Sequence, residues 1–156
     1  MADAPRFVVD AMLGRLARWL RLLGWDTVFD PRADDPAIAE LAAREDRIVL
    51  TRDHGLLARK LVRRGLFVQS EELGPQLRQV LAAFGLDAAP ERMFTRCVAC
   101  NTPVEDVPAE RVRGRVPPFV LAHHDRFRRC PGCAKIFWGG THGALARRRL
   151  EELLEE

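Results

Sequence analysis

The stretch Phe7-Val-Val-Asp-Ala-Met-Leu-Gly-Arg-Leu-Ala-Arg-Trp-Leu-Arg-Leu-Leu-Gly24 decides the fold. Three apolar residues suited to a buried strand run straight into an acid, Asp10. Leucines at 13, 16, 20 and 23 then recur at helical spacing, and Gly24 stands where a left-handed cap is expected. This is the first half of a βα unit, and the pattern repeats outward. Thr27 to Asp30, Ile48 to Thr51 and Leu66 to Gln69 read as further strands. Between and after them lie the helical patterns Ile38, Leu41, Ala42, then Leu57, Leu61, Val62, then Leu73, Leu77, Val80, Leu81, Phe84, with Gly65 and Gly85 as caps. Strands alternating with amphipathic helices predict an α/β fold around a mainly parallel sheet.

From Leu86 the register changes. A mixed connector leads into a segment rich in Pro, Gly, Arg and Cys with no sustained helical period, and Ala144 to Leu154 then returns to a helical pattern able to pack on either module. The division expected is 1–90 for the α/β domain and 91–156 for a small second module with its terminal helix. With 47% apolar and 30% charged residues, the chain has the balance of a soluble globular protein and not of a disordered one. No apolar run approaches the roughly 18 residues of a membrane span, and the first residues lack the order of a signal peptide, so a cytoplasmic protein with no membrane partner is expected. The net charge of +3 is modest, but residues 96 to 146 carry 8 Lys/Arg against 4 Asp/Glu, which puts the positive excess in the cysteine-bearing segment.

Cys97-Val-Ala-Cys100 and Cys130-Pro-Gly-Cys133 are two knuckles, each aiming two thiolates at one metal. Together they complete a tetrahedral zinc site. The 29 residues between Cys100 and Cys130 exceed the commonest spacing, but loop-closure entropy grows slowly with length. A module this thin needs the metal to fold. His123, His124 and His142 have ligand chemistry too, but four cysteines already fill a structural site.

The second constellation is acidic. Asp10 follows the first strand, Asp34 and Asp35 lie in the loop before Pro36, and Asp53 follows Ile48 to Thr51. In open parallel sheets, ligand sites form outside these carboxyl ends. Carboxylates that converge there repel one another unless a cation neutralises them, so the set predicts magnesium or manganese and the activation of water against a phosphodiester. Asp10 has no obvious cap role. Asp35 before Pro36 reads equally as a helix N-cap, and Asp53 as the cap of a helix starting near His54. Arg15, Arg18 and Arg21 recur every third residue beyond Asp10 and either hold phosphates or lie on a solvated face. Arg52, Lys60, Arg63 and Arg64 form a further basic set.

These residues together resemble a known family: the PIN-like ribonuclease domain with a carboxy-terminal zinc ribbon, named after the C-terminal part of the nematode mutator-seven protein. The stretches that carry the resemblance are Phe7 to Gly24, the Asp34-Asp35 pair, Ile48-Val-Leu-Thr-Arg-Asp53, Cys97-Val-Ala-Cys-Asn101 and Cys130-Pro-Gly-Cys-Ala-Lys-Ile-Phe-Trp-Gly-Gly-Thr-His142. The resemblance implies a PIN-like three-layer α/β/α fold, metal-dependent cleavage of single-stranded RNA, and structural zinc in the ribbon. It carries magnesium or manganese binding onto Asp10, Asp35 and Asp53, with Asp34 as a neighbour. For a fourth acid found in many PIN domains, Glu71 or Glu72 is the loose match. Ala134 stands where a glycine often closes the second knuckle. Trp138 and His142 match the ribbon-to-helix signature, for which packing of the final helix is the plainer role. PIN-like domains often dimerise, which leaves room for a homodimer.

The reading that follows is a metal-dependent endoribonuclease acting on single-stranded RNA. Asp10, Asp35, Asp53 and Asp34 form its catalytic set, Arg15, Arg18, Arg52, Arg128 and Arg129 contact substrate, and the ribbon helps grip RNA. In the ribbon, arginines and Lys135 interleave with Phe119, Phe127, Phe137 and Trp138, the mixture that single-strand binding uses, although those aromatics also suit a ribbon core. The alternative is a non-catalytic RNA-binding or adaptor protein that keeps the fold and the zinc. An adaptor has no need of an acid at all three strand ends.

Overall fold

The structure is a computed structural model that describes residues 4–139 and 141–155, with the side chains of Thr141 and His142 outside the described part. Its first unit is built on β1 (Phe7–Val9), β2 (Thr27–Val28), β3 (Ile48–Thr51) and β4 (Gly65–Phe67), all parallel, in the order β2-β1-β3-β4. Side chains alternate across the sheet as the pleat requires. Phe7, Val9, Ile48 and Leu50 face one core with α1 (Gly14–Leu22) and α4 (Leu73–Ala83). Val8 and Val49 face the other with α2 (Asp35–Glu45) and α3 (His54–Leu57). Helices thus cover both faces, giving the three α/β/α layers expected.

Several element boundaries differ from the sequence reading. The second strand stops at Val28 and the fourth starts at Gly65. The helix expected to run through Leu61 is a single turn: Arg59 N–H bonds to Leu56 O and Val62 N–H to Arg59 O, so turns carry the chain back in time for Gly65 to pair with Val49. Gly65 is accordingly not a left-handed cap, and it is spacing that it serves, since a Cβ there would lie 2.3 Å from Leu57 Cδ2. Gly24 is the cap expected, with φ +94, and a Cβ on it would also collide with the backbone of Arg92.

The second unit holds an antiparallel sheet of β5 (Glu105–Val107), β6 (Phe127–Arg129) and β7 (Ile136–Trp138), with short helices α5 (Ala109–Val112) and α6 (Pro118–His123). Its buried apolar core is small, centred on Val112, Val116 and Phe127. The terminal helix α7 (Thr141–Glu155) packs away from the ribbon. Leu150 and Leu153 enter the core beside α4, and Arg78 Nη1 donates to Leu153 O at 2.6 Å. Met93, on the other side of the ribbon in sequence, is buried in that same core, so the ribbon is bracketed by segments anchored in the α/β unit. Among the described residues no helix is long and apolar enough to cross a membrane.

Candidate active site

The strand order reverses between β1 and β3, because β2 adds on one side of this pair and β4 on the other. The carboxyl ends of such a pair open a crevice, and Asp10 and Asp53 stand there. Asp10 is 7% exposed; its Oδ1 accepts from Ala11 N–H at 2.7 Å and its Oδ2 from the Thr51 hydroxyl at 2.7 Å. It therefore does cap a short 3₁₀ turn, Ala11–Leu13, a role the sequence did not betray. Thr51 Oγ1 in turn accepts from Asp53 N–H at 2.9 Å, so one hydroxyl orients two acids. Asp53 Oδ1 accepts from Gly55 N–H at 2.8 Å and caps α3 as its sequence context allowed.

The third acid arrives from α2. Asp34, exposed, is the N-cap, accepting from Ala37 N–H at 3.0 Å, and this releases Asp35, the first helical residue, from the capping role it was equally able to fill. Asp35 is half-buried and near the other two. Partial burial, then the charge of Asp53, then that of Asp10, raise its carboxyl above the ordinary carboxylate value, with Arg59 opposing. Glu71, the loose match for a fourth acid, is exposed and lies 3.6 Å from Arg52. The donor set of Asp10, Asp35 and Asp53 is all oxygen, which is the ligand chemistry of a hard divalent cation.

The four cysteine sulfurs lie within 4.8 Å of one another, with Cys97 and Cys133 at 3.8 Å and Cys100 and Cys130 at 3.1 Å. A tetrahedron with Zn–S bonds of about 2.3 Å has edges of about 3.8 Å, so the cluster fits the ion. Both knuckles fold alike: Asn101 N–H bonds to Cys97 O and Ala134 N–H to Cys130 O, each at 2.8 Å, and both residues are left-handed, at φ 66 and 64. Ala134 thus occupies the conformation that a glycine would adopt without strain. Burial pushes the Cys97 thiol up, whereas a hydrogen bond with Thr102, then one with Cys130, hold that of Cys100 down.

The first knuckle is fastened to the α/β unit by residues that sequence reasoning missed or misplaced. Arg21, grouped in the sequence with Arg15 and Arg18 as phosphate-holding or solvated, is 9% exposed. It donates to Thr27 O at 2.8 Å, Val98 O at 3.0 Å and Ala99 O at 3.3 Å. Asn101 accepts from Thr27 N–H at 2.9 Å and donates to Asp26 Oδ1 at 2.7 Å, where Arg47 also binds at 2.8 Å. Burial works against the Asp26 carboxylate, but the hydrogen bonds from Arg47 and Asn101 and the charges of Arg47 and Arg96 hold it below the ordinary value. Asp26 and Thr27 lie at the amino end of the sheet, since Phe7 N–H bonds to Asp26 O. The cysteine cluster and the acids therefore lie towards opposite ends of the strands.

Of the arginines expected at substrate, Arg15 and Arg18 are exposed on α1. Arg52 is occupied, donating to Val68 O at 3.0 Å and Gln69 O at 3.1 Å. Arg128 donates to Phe94 O at 3.2 Å and lies 3.5 Å from Asp106, and Arg129 is half-buried in β6 with its Nε unpartnered. Among the ribbon aromatics Phe127 is core, while Phe119 and Trp138 are 69% and 40% exposed.

The family model described as Mut7-C RNAse domain matches residues 5–150. The chain belongs to the Mut7-C RNase family. Mut7-C membership covers both the α/β unit and the ribbon, and makes a nuclease-type hydrolase the functional class. The protein named Exonuclease mut-7 homolog, from Homo sapiens, is 39% identical over 105 residues, which is 64% of this chain. The matched part is 12% of that relative's length, so this Mut7-C chain spans a small share of it. No solved structure matches.

Proposed function

We propose that the chain is an endoribonuclease that hydrolyses single-stranded RNA at Asp10, Asp35 and Asp53 with a magnesium or manganese ion, and that zinc at Cys97, Cys100, Cys130 and Cys133 is structural. The observation that carries this reading is that three carboxylates, two just after β1 and β3 and one in the first turn of α2, come near one another at the point where the strand order reverses. Asp10, Asp35 and Asp53 would hold the cation, which supplies charge neutralisation and polarises the phosphoryl oxygens. The protein fixes the acids beforehand: Asp10 through Ala11 N–H and Thr51, Asp53 through Gly55 N–H. Asp35 has no capping duty, and so is free to complete the cation site with Asp10 and Asp53. Asp34 supports it by capping α2.

RNA would approach along exposed positive charge at the acidic edge, Arg15 and Arg18. The ribbon would grip more remote nucleotides through exposed Phe119 and Trp138 and the basic residues around them. Arg52 and Arg128 donate to backbone carbonyls, and so position loops and strands before they reach substrate.

The test is incubation of the purified protein with end-labelled single-stranded RNA and manganese, beside Asp10→Asn. Cleavage by the parent and not the variant is expected, and equal cleavage by both would remove the enzyme reading. A circular RNA separates endonuclease from exonuclease action, because an exonuclease leaves it intact. RNA binding with no cleavage of any substrate would favour the adaptor.

A further inference from the structure

Directly beside Asp35 is a groove of about 370 Å³ between the first turns of α2 and the turn that follows α3, lined by Pro36, Ala39, Glu40, Arg59, Lys60 and Leu61. That volume is in the range of about 300–1,000 Å³ of sites for small organic groups. Its surface is mostly apolar, and Leu61 is 51% exposed. Two positive charges stand at its rim, both exposed. The one acid in the lining, Glu40, lies 3.9 Å from Arg44 on the next turn of its own helix, which offsets its charge. The groove neighbours the acidic centre along the chain: Pro36 follows Asp35 in sequence, and α3 links Asp53 at one end to Arg59 just beyond the other.

An apolar floor with cationic edges, one residue from a phosphodiester-cleaving centre, matches the two faces of a nucleotide. We propose that this groove seats the nucleotide of the RNA adjoining the scissile phosphate, its base against Pro36 and Leu61 and its phosphate against Arg59 and Lys60. The proposal rests on the nuclease reading and extends it by naming a subsite on the opposite side of the acids from α1.

The test uses the full chain with Asp10→Asn, so that RNA is bound and not cut, and fluorescence anisotropy on single-stranded RNA across a salt series. Arg59→Ala and Lys60→Ala should each lower the slope of log affinity on log salt by about 1. Leu61→Ser should weaken binding roughly tenfold with the slope unchanged, as expected for lost apolar contact. In the active chain these variants should raise KM more than they lower kcat. An RNA with one abasic nucleotide beside the cut site should bind the parent more weakly and lose nothing further with Leu61→Ser. All three side chains are exposed, so the variants are expected to keep the parental melting temperature. If the parent binds RNA and the three variants bind it equally well with the same salt slope, the subsite is overturned while the nuclease reading stands. If the parent binds no RNA at all, both fall. If Leu61→Ser alters sedimentation and leaves RNA affinity intact, the groove is a contact between copies of the chain, and the proposal is overturned.

Discussion

Thr51 holds two of the three acids at once, donating to Asp10 and accepting from the backbone of Asp53. Thr51→Val fills the same space but leaves both groups unpaired in a buried setting. Cleavage should fall about 10- to 100-fold, the range for residues that orient metal ligands, and Thr51→Ser should restore most of it in single-turnover assays. At Asp35 the relevant quantity is stability. Its carboxyl is raised in the fold by partial burial and by Asp53 and Asp10, so the native state binds that proton more tightly than the unfolded chain does. Stability from this group is therefore present in acid and lost as pH rises through the folded value, and at neutral pH the ionised form penalises the fold. Asp35→Asn should raise Tm at pH 7 in buffer without added divalent cations, and the gain should shrink towards acid pH. Manganese should raise the Tm of the parent and not of the variant. The acids themselves were legible from their places at strand ends. Thr51 was not, because a threonine closing a strand looks like any β-former, and only the pairing of β1 with β3 brings its hydroxyl to Asp10.

At the scale of elements, helical periodicity located α1, α2 and α4, because each buries a stripe against the sheet and the stripe is written in the leucines. The same periodicity misled at Leu57, Leu61 and Val62, where the need to pair Gly65 with Val49 overrides local preference. It misled at Arg21 too, since the carbonyls that bury this side chain belong to Val98 and Ala99, some eighty positions away in the chain. Arg21→Ala would strip those carbonyls and Thr27 O of a charged donor. A loss of about 1–3 kcal/mol is expected in urea denaturation, with faster zinc release to a chromophoric chelator. The α7 contact makes a separate demand. Leu153 is 1% exposed between α7 and the α4 face, and Leu153→Ala should cost about 2–5 kcal/mol without changing zinc content.

Across the whole molecule the acids and the cysteine knuckle sit towards opposite strand ends of one parallel sheet, joined through α1, which begins one 3₁₀ turn after Asp10 and whose last turn carries Arg21 to the knuckle. The cysteine pairs and the strand-end acids were legible as candidates, but their separation was not, because it depends on how α1 runs back across the sheet. Removal of zinc should unfold the ribbon and raise hydrogen exchange at β2 and the end of α1. Affinity for long RNA should fall sharply, while cleavage of short RNA at the acidic edge should persist in part. Immediate loss of activity on short and long RNA alike would contradict this spatial division. The return of α7 has a consequence for synthesis on the ribosome. The apolar face of α4 that receives Leu150 and Leu153 stays open until α7 is made, and α7 is translated after both cysteine pairs. The nascent chain must therefore display its four cysteines before the nuclease core can close, so closure of that core waits on the last helix to be made, and until then its open face is exposed to proteases and chaperones.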